Sequence, residues 1–113
     1  MEKTLTIDNK EVRFKSTAAT PLRFKAQFQK DYLAEIMKLD SLGKLDTKNI
    51  KPKDLEKIDF EVFYNIAWTL AKTADPSIKD PITWLDGFET FPLMEILPEL
   101  SEMISVTLQG KKK

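Results

Sequence analysis

The stretch Phe60-Glu61-Val62-Phe63-Tyr64-Asn65-Ile66-Ala67-Trp68-Thr69-Leu70-Ala71-Lys72-Thr73-Ala74 decides how the chain is organised. Phe60, Phe63, Ala67, Leu70 and Ala74 recur at intervals of three and four, and Ile66 and Ala71 widen the stripe. That spacing places them on one side of an α-helix. The other faces carry Tyr64 and Trp68, with only Glu61 and Lys72 as charges. A helix so poor in charge is buried on more than one side, so residues 60–74 form the central element, with Asp59 as its expected cap. Asp75-Pro76 ends it.

The segments on either side supply what covers it. Toward the N-terminus, Leu5 and Ile7 alternate with threonines, and Val12 and Phe14 alternate with Glu11, Arg13 and Lys15. A period of two puts Leu5, Ile7, Val12 and Phe14 on one face of a β-hairpin. Asp8-Asn9-Lys10 lies between the runs, and Asp and Asn tolerate the left-handed backbone of a tight turn. Thr20-Pro21 opens a long helix predicted over about residues 21–42, with Phe24, Phe28, Tyr32, Ile36 and Leu39 as its stripe and Leu33 and Met37 beside it. Residues 44–57 hold five lysines, one proline and three aliphatic residues, which reads as an exposed connection.

Toward the C-terminus, Asp80-Pro81 starts a short helix over about residues 81–86, carrying Trp84 and Leu85, and Gly87 interrupts it. A last helix is predicted from near Phe91-Pro92 to about Leu108, with Leu93, Ile96, Leu97, Leu100, Ile104 and Leu108 as its stripe and Pro98 inside it. The fold class is therefore α+β: an N-terminal β-hairpin packed on a small bundle of about four helices, mostly helical. Residues 1–108 read as one domain and 109–113 as a flexible basic tail.

Composition narrows the chemistry. The 113 residues include no cysteine and no histidine. Disulfides, thiolate nucleophiles, zinc ribbons and the commonest general base are thereby excluded. Three glycines stand scattered at positions 43, 87 and 110, so no phosphate-cradling loop exists. No run approaches the roughly 20 apolar residues that span a bilayer, and Met1-Glu2-Lys3-Thr4 lacks a signal-peptide core. Carboxylates are the remaining catalytic candidates. Glu95, Glu99 and Glu102 line one helix face, which reads as a solvated row. Asp75, Ser77 and Asp80 offer a thin set of metal-type oxygens and read as a capped turn. No catalytic, metal or cofactor residue is assigned.

Net charge is zero, but unevenly built. Residues 1–57 carry 13 basic and 9 acidic side chains, whereas residues 58–110 carry 2 lysines and 9 acids. Opposite signs at opposite ends favour salt-sensitive, head-to-tail association of copies. Seven of the eleven aromatics fall within residues 60–91, more than a small core readily buries. Trp84, Phe88, Phe91, Trp68 and Tyr64 are accordingly the candidate partner-binding residues, because aromatic anchors are enriched at such surfaces. The residues alone read as a small interaction domain rather than an enzyme.

Three blocks carry a more specific resemblance. The first is Leu5-Thr6-Ile7-Asp8-Asn9-Lys10-Glu11-Val12-Arg13-Phe14-Lys15 with Thr17-Ala18-Ala19-Thr20-Pro21-Leu22-Arg23. The second joins Phe60 through Trp68 to Ala71-Lys72-Thr73-Ala74-Asp75-Pro76. The third is Trp84-Leu85-Asp86-Gly87-Phe88-Glu89-Thr90-Phe91, followed by Ile96-Leu97-Pro98. In this order they resemble the tail assembly chaperones of long-tailed phages and prophages (siphoviruses) of Gram-positive hosts. Asn9 departs from the glycine common in such hairpins and still suits a turn.

The resemblance implies a non-enzymatic protein without cofactor that binds the tape measure protein and keeps it soluble while the tail forms. It implies self-association, residence in the cytoplasm of the bacterial host and absence from the mature virion. No membrane or nucleic-acid partner is expected. It further implies a short form of a frameshifted pair, whose extended form recruits the tail tube protein; the lysine codons at 111–113 would then overlap a second reading frame. The alternatives are a structural virion protein of the tail or connector, and a small regulatory or nucleic-acid-binding adaptor.

Overall fold

Two strands open the chain, β1 (Glu2–Ile7) and β2 (Lys10–Lys15), paired antiparallel in a register running from Ile7 opposite Lys10 to Glu2 opposite Lys15. The two-residue link holds Asp8 at φ 53° and Asn9 at φ 63°. Two successive left-handed residues make the turn whose twist matches that of paired strands, and Asp and Asn adopt it most readily after glycine. The register sets the faces. Leu5, Ile7, Val12 and Phe14 point inward, with Ile7, Val12 and Phe14 buried and Leu5 half-buried, as the alternation predicts.

The computed structural model describes residues 1–43 and 60–109, with side chains described for 1–38 and 60–104. The expected connection over 44–57, the Asp59 cap and the tail end 110–113 lie outside the described residues.

Where the sequence predicts one long helix, the structure has two. Helix α1 spans Thr20–Phe28 and α2 spans Tyr32–Gly43. Gln29 takes a left-handed conformation (φ 59°, ψ 29°), and its N–H donates to Lys25 O at 2.9 Å, closing α1. Asp31 then caps the next helix, its carboxylate accepting the Ala34 N–H at 3.0 Å. Glycine-free capping of this kind leaves the apolar spacing undisturbed, which is why the stripe conceals the break. Phe24, Tyr32 and Ile36 are buried and Phe28 half-buried, with Phe24 packed on Phe28 and Tyr32 at ring distances of 4.8 and 5.1 Å. Leu33 and Met37, at the margin of the stripe, remain exposed. Thr20 is not the side-chain cap the sequence suggests: α1 begins at Ala19 without one, and the buried Thr20 hydroxyl instead accepts the Thr17 N–H at 2.9 Å.

Helix α3 (Phe60–Ala74) is central. Val62, Phe63 and every residue from Asn65 to Ala71 are buried. Strand β2 and helices α1, α2, α4 (Pro81–Leu85) and α5 (Leu93–Gln109) all contact it. Helix α5 contains Pro98 and buries Ile96, Leu100, Met103 and Ile104, while Glu95, Glu99 and Glu102 are exposed. The architecture is thus an antiparallel hairpin on five helices among the described residues, the α+β, mostly helical fold expected. The extra helix comes from the break at Gln29.

Phe14 joins the hairpin to this core and is fully buried. Phe14→Ala is expected to cost about 3–5 kcal/mol, a large part of the total stability of a small domain. Thr4→Ala, on the solvent face of the same ribbon, should stay within about 1 kcal/mol. Urea titration followed by circular dichroism compares the two; equal midpoints would show that the hairpin does not depend on its docked face.

Candidate functional site

Packing of α4 against α3, with α1 ending beside them, leaves an open groove of about 660 Å³. Gln27 and Phe28 come from the last turn of α1, and Lys30 from the link after it. Glu61, Tyr64 and Asn65 come from α3; Asp80, Pro81, Ile82 and Leu85 come from α4 and its cap. This size is in the range of pockets that enclose a ligand, but the groove lies open. Its apolar lining is Phe28, Tyr64, Pro81, Ile82 and Leu85, and Ile82 is 73% exposed.

Each wall has an identifiable support. The Phe28 ring stands edge-on to Trp68 at 5.5 Å and 82°. Trp68 is itself 3% exposed, and its indole N–H donates to Lys79 O at 2.7 Å. That bond ties the chain leading into α4 to the middle of α3. The Lys72 ammonium donates to Pro76 O at 2.7 Å and to Ile78 O at 2.5 Å, fixing the same link. Asp80 caps α4, accepting from the Thr83 hydroxyl at 2.6 Å and the Thr83 N–H at 3.2 Å. On the rim, Lys30 pairs with Glu61 at 3.5 Å and lies 3.9 Å from the buried Glu35 carboxylate, which Lys38 meets at 2.8 Å.

The five aromatics expected to bind a partner take three different places. Tyr64 lines the groove. Trp84, Phe88 and Phe91 form a triangle with ring separations of 5.4, 5.6 and 5.6 Å. Phe91 extends the triangle to Phe63 and Tyr64. These three are half-buried against the core, so much of their surface serves packing. Trp84 and Phe88 also border a smaller cleft of about 220 Å³ beside β2, with Lys10, Arg13 and Asp75 among its lining. Trp68 requires a correction: its ring lies edge-on to Phe28, out of solvent, and supports the groove wall without lining it.

The hairpin turn fixes the triangle from outside. Lys10 donates to Gly87 O and places its ammonium 5.3 Å from the Phe88 ring centre, a cation–π contact. Asp8 accepts the Glu89 N–H at 2.9 Å. Sequence reasoning missed Phe28, Asn65, Ile82 and Leu85 as groove residues. The spacing of Phe28 assigns it to the core stripe of its helix. Ile82 and Leu85 share a face of α4 by their spacing of three, a signal hidden by the short helix.

Hydrogen bonds from the Thr83 side chain and backbone keep the Asp80 carboxyl below its ordinary range. Ser77 does the same for Asp75, first through its hydroxyl at 2.6 Å and then through its N–H. Both carboxylates are thereby engaged in local turns. Among the described residues no three acidic side chains gather into a metal-type cluster, and no helix is long and apolar enough to cross a membrane. No protein-family model, curated protein or solved structure matches this chain.

Because both aspartate values are lowered on folding, the stabilisation they provide is present above the ordinary value near 3.8 and is lost as pH falls through the lower folded values. Between pH 5 and about pH 2, the melting temperature of Asp75→Ala/Asp80→Ala should fall less steeply than that of the wild type. Parallel curves would show that these caps do not couple folding to protons.

Proposed function

We propose that this chain is a non-enzymatic tail assembly chaperone for a long-tailed phage or prophage, and that it holds an amphipathic helix of the tape measure protein in the groove between α1, α3 and α4. The observation that carries the reading is the groove itself: an open trough in which Phe28, Tyr64, Pro81, Leu85 and the exposed Ile82 form the apolar lining, beside the charged Lys30, Glu61 and Asp80. Helix-in-groove recognition uses this combination, with apolar anchors at intervals of three and four seated in the trough.

The resemblance of the three sequence blocks supports the identity of the client. A tape measure protein is long and exposes apolar helix before the tail tube closes around it. Modest affinity at each groove, repeated by many copies along one client, gives avidity while leaving each contact reversible. The tail tube can then displace the copies one after another. Self-association along the client, residence in the host cytoplasm and absence from the finished virion belong to the same proposal.

Ile82→Glu tests it without disturbing the core, since the side chain is largely exposed. The wild-type chain co-expressed with the tape measure protein should raise the soluble yield of that protein and co-purify with it. Placing a carboxylate in the trough should weaken capture about tenfold or more, the scale set by losing one buried aliphatic anchor. Unchanged capture by a folded Ile82→Glu protein, or recovery of the chain from purified virions, would contradict the proposal.

A further inference from the structure

Asn65 is a polar interruption in the most apolar part of α3. It is only 9% exposed, and its neighbours Val62, Phe63, Ile66, Ala67, Trp68 and Thr69 are all buried. Its position is fixed, because its backbone carbonyl accepts the Thr69 hydroxyl at 2.8 Å. Its side chain lines the groove, and no described residue hydrogen-bonds its amide. A primary amide with two donor hydrogens and one acceptor oxygen therefore lines the groove, on a residue 9% exposed, with no hydrogen-bond partner among the described residues.

From this we infer that Asn65 selects which stretch of a client helix the groove accepts: a helix whose apolar stripe is interrupted by one amide or hydroxyl side chain. The inference rests on the groove-docking reading and adds its specificity. Water reaching the open groove can satisfy the amide when the groove is empty. An occupant displaces that water. A wholly apolar stripe would leave the amide unpartnered and dry, which is unfavourable. A Gln, Asn, Ser or Thr on the occupant restores the hydrogen bonds. The backbone of a helical occupant is already paired with itself, so the partner must be a side chain.

The consequence is register. A long client with a repeating apolar stripe offers many nearly equivalent seats. One buried polar position discriminates among them, as a single asparagine does in the seam of a coiled coil. Asn65 would space the copies along the client according to where its amide and hydroxyl residues fall.

The test uses overlapping 20-residue peptides covering the tape measure protein, with binding to the full-length wild-type chain, Asn65→Leu and Ile82→Glu measured by fluorescence anisotropy. Wild-type chain should bind best to peptides with one amide or hydroxyl in the stripe. Replacing that peptide residue by leucine should weaken wild-type binding about tenfold, and Asn65→Leu should reverse the preference. The peptide-side substitution is read on wild-type protein, so it stands even if Asn65→Leu folds poorly. Loss of binding in Ile82→Glu with no preference at the amide position overturns the role of Asn65 and leaves the docking reading intact. Binding insensitive to Ile82→Glu, or no binding by the wild type, overturns both. Binding abolished by N-methylation of the peptide backbone but indifferent to the stripe residue would mean that Asn65 pairs with an extended segment, which also overturns the inference.

Discussion

Helix α3 has apolar surface around nearly its whole circumference, and no single neighbour can cover it. That constraint organises the molecule. The hairpin covers α3 with the face bearing Ile7, Val12 and Phe14, while α1, α2 and α5 contribute Phe24, Tyr32, Ile36, Leu100 and Met103 to the same core. Helix α4 is too short to complete the enclosure; none of its residues is buried. The groove is what remains where a helix of five residues stands in for a full-length neighbour. Fold and candidate site therefore meet at α3: its apolar residues are covered by the rest of the chain, and the groove opens along its Glu61, Tyr64 and Asn65 side, where Phe28 of α1 and Pro81, Ile82 and Leu85 of α4 supply the apolar lining.

Most of this architecture was legible in the sequence because burial writes itself as period. The alternation around Asp8-Asn9 specified the hairpin faces, and the charge-poor run from Phe60 to Ala74 specified a central helix. The break at Gln29 was not legible. Apolar spacing reports which side of the chain is buried and is silent on backbone continuity, and Gln29 takes its left-handed conformation without the glycine that usually announces one. Asp31 was the available signal, as a capping residue inside an otherwise helical pattern.

The site was less legible than the fold. Large aromatics draw attention as anchors, yet Trp68 is fully engaged, by its ring with Phe28 and by its indole N–H with Lys79. Composition counts aromatic residues but does not say which are left over after packing. The groove depends on Ile82 and Asn65, neither of them aromatic, and on the third dimension that brings Phe28 to them. Charge shows the same limit. The basic front and acidic rear meet within one molecule: Lys3 reaches Glu99 at 3.3 Å and Lys30 reaches Glu61 at 3.5 Å, while Arg13 donates to Ala74 O and Lys10 to Gly87 O. Each exposed pair contributes about 0–1 kcal/mol, but together they join the halves and leave fewer cations for stacking one copy on another.

The central claim is that the groove, and not the aromatic triangle or the outer face of the hairpin, receives the client. Site-specific photo-crosslinking tests this most directly. A benzophenone side chain placed at Ile82, and for comparison at Thr4 on the solvent face of β1, would be irradiated in the presence of the tape measure protein. The account predicts crosslinks from position 82 to residues spaced three and four apart on the client, and none from position 4. Crosslinks from position 4 with none from position 82 would contradict it.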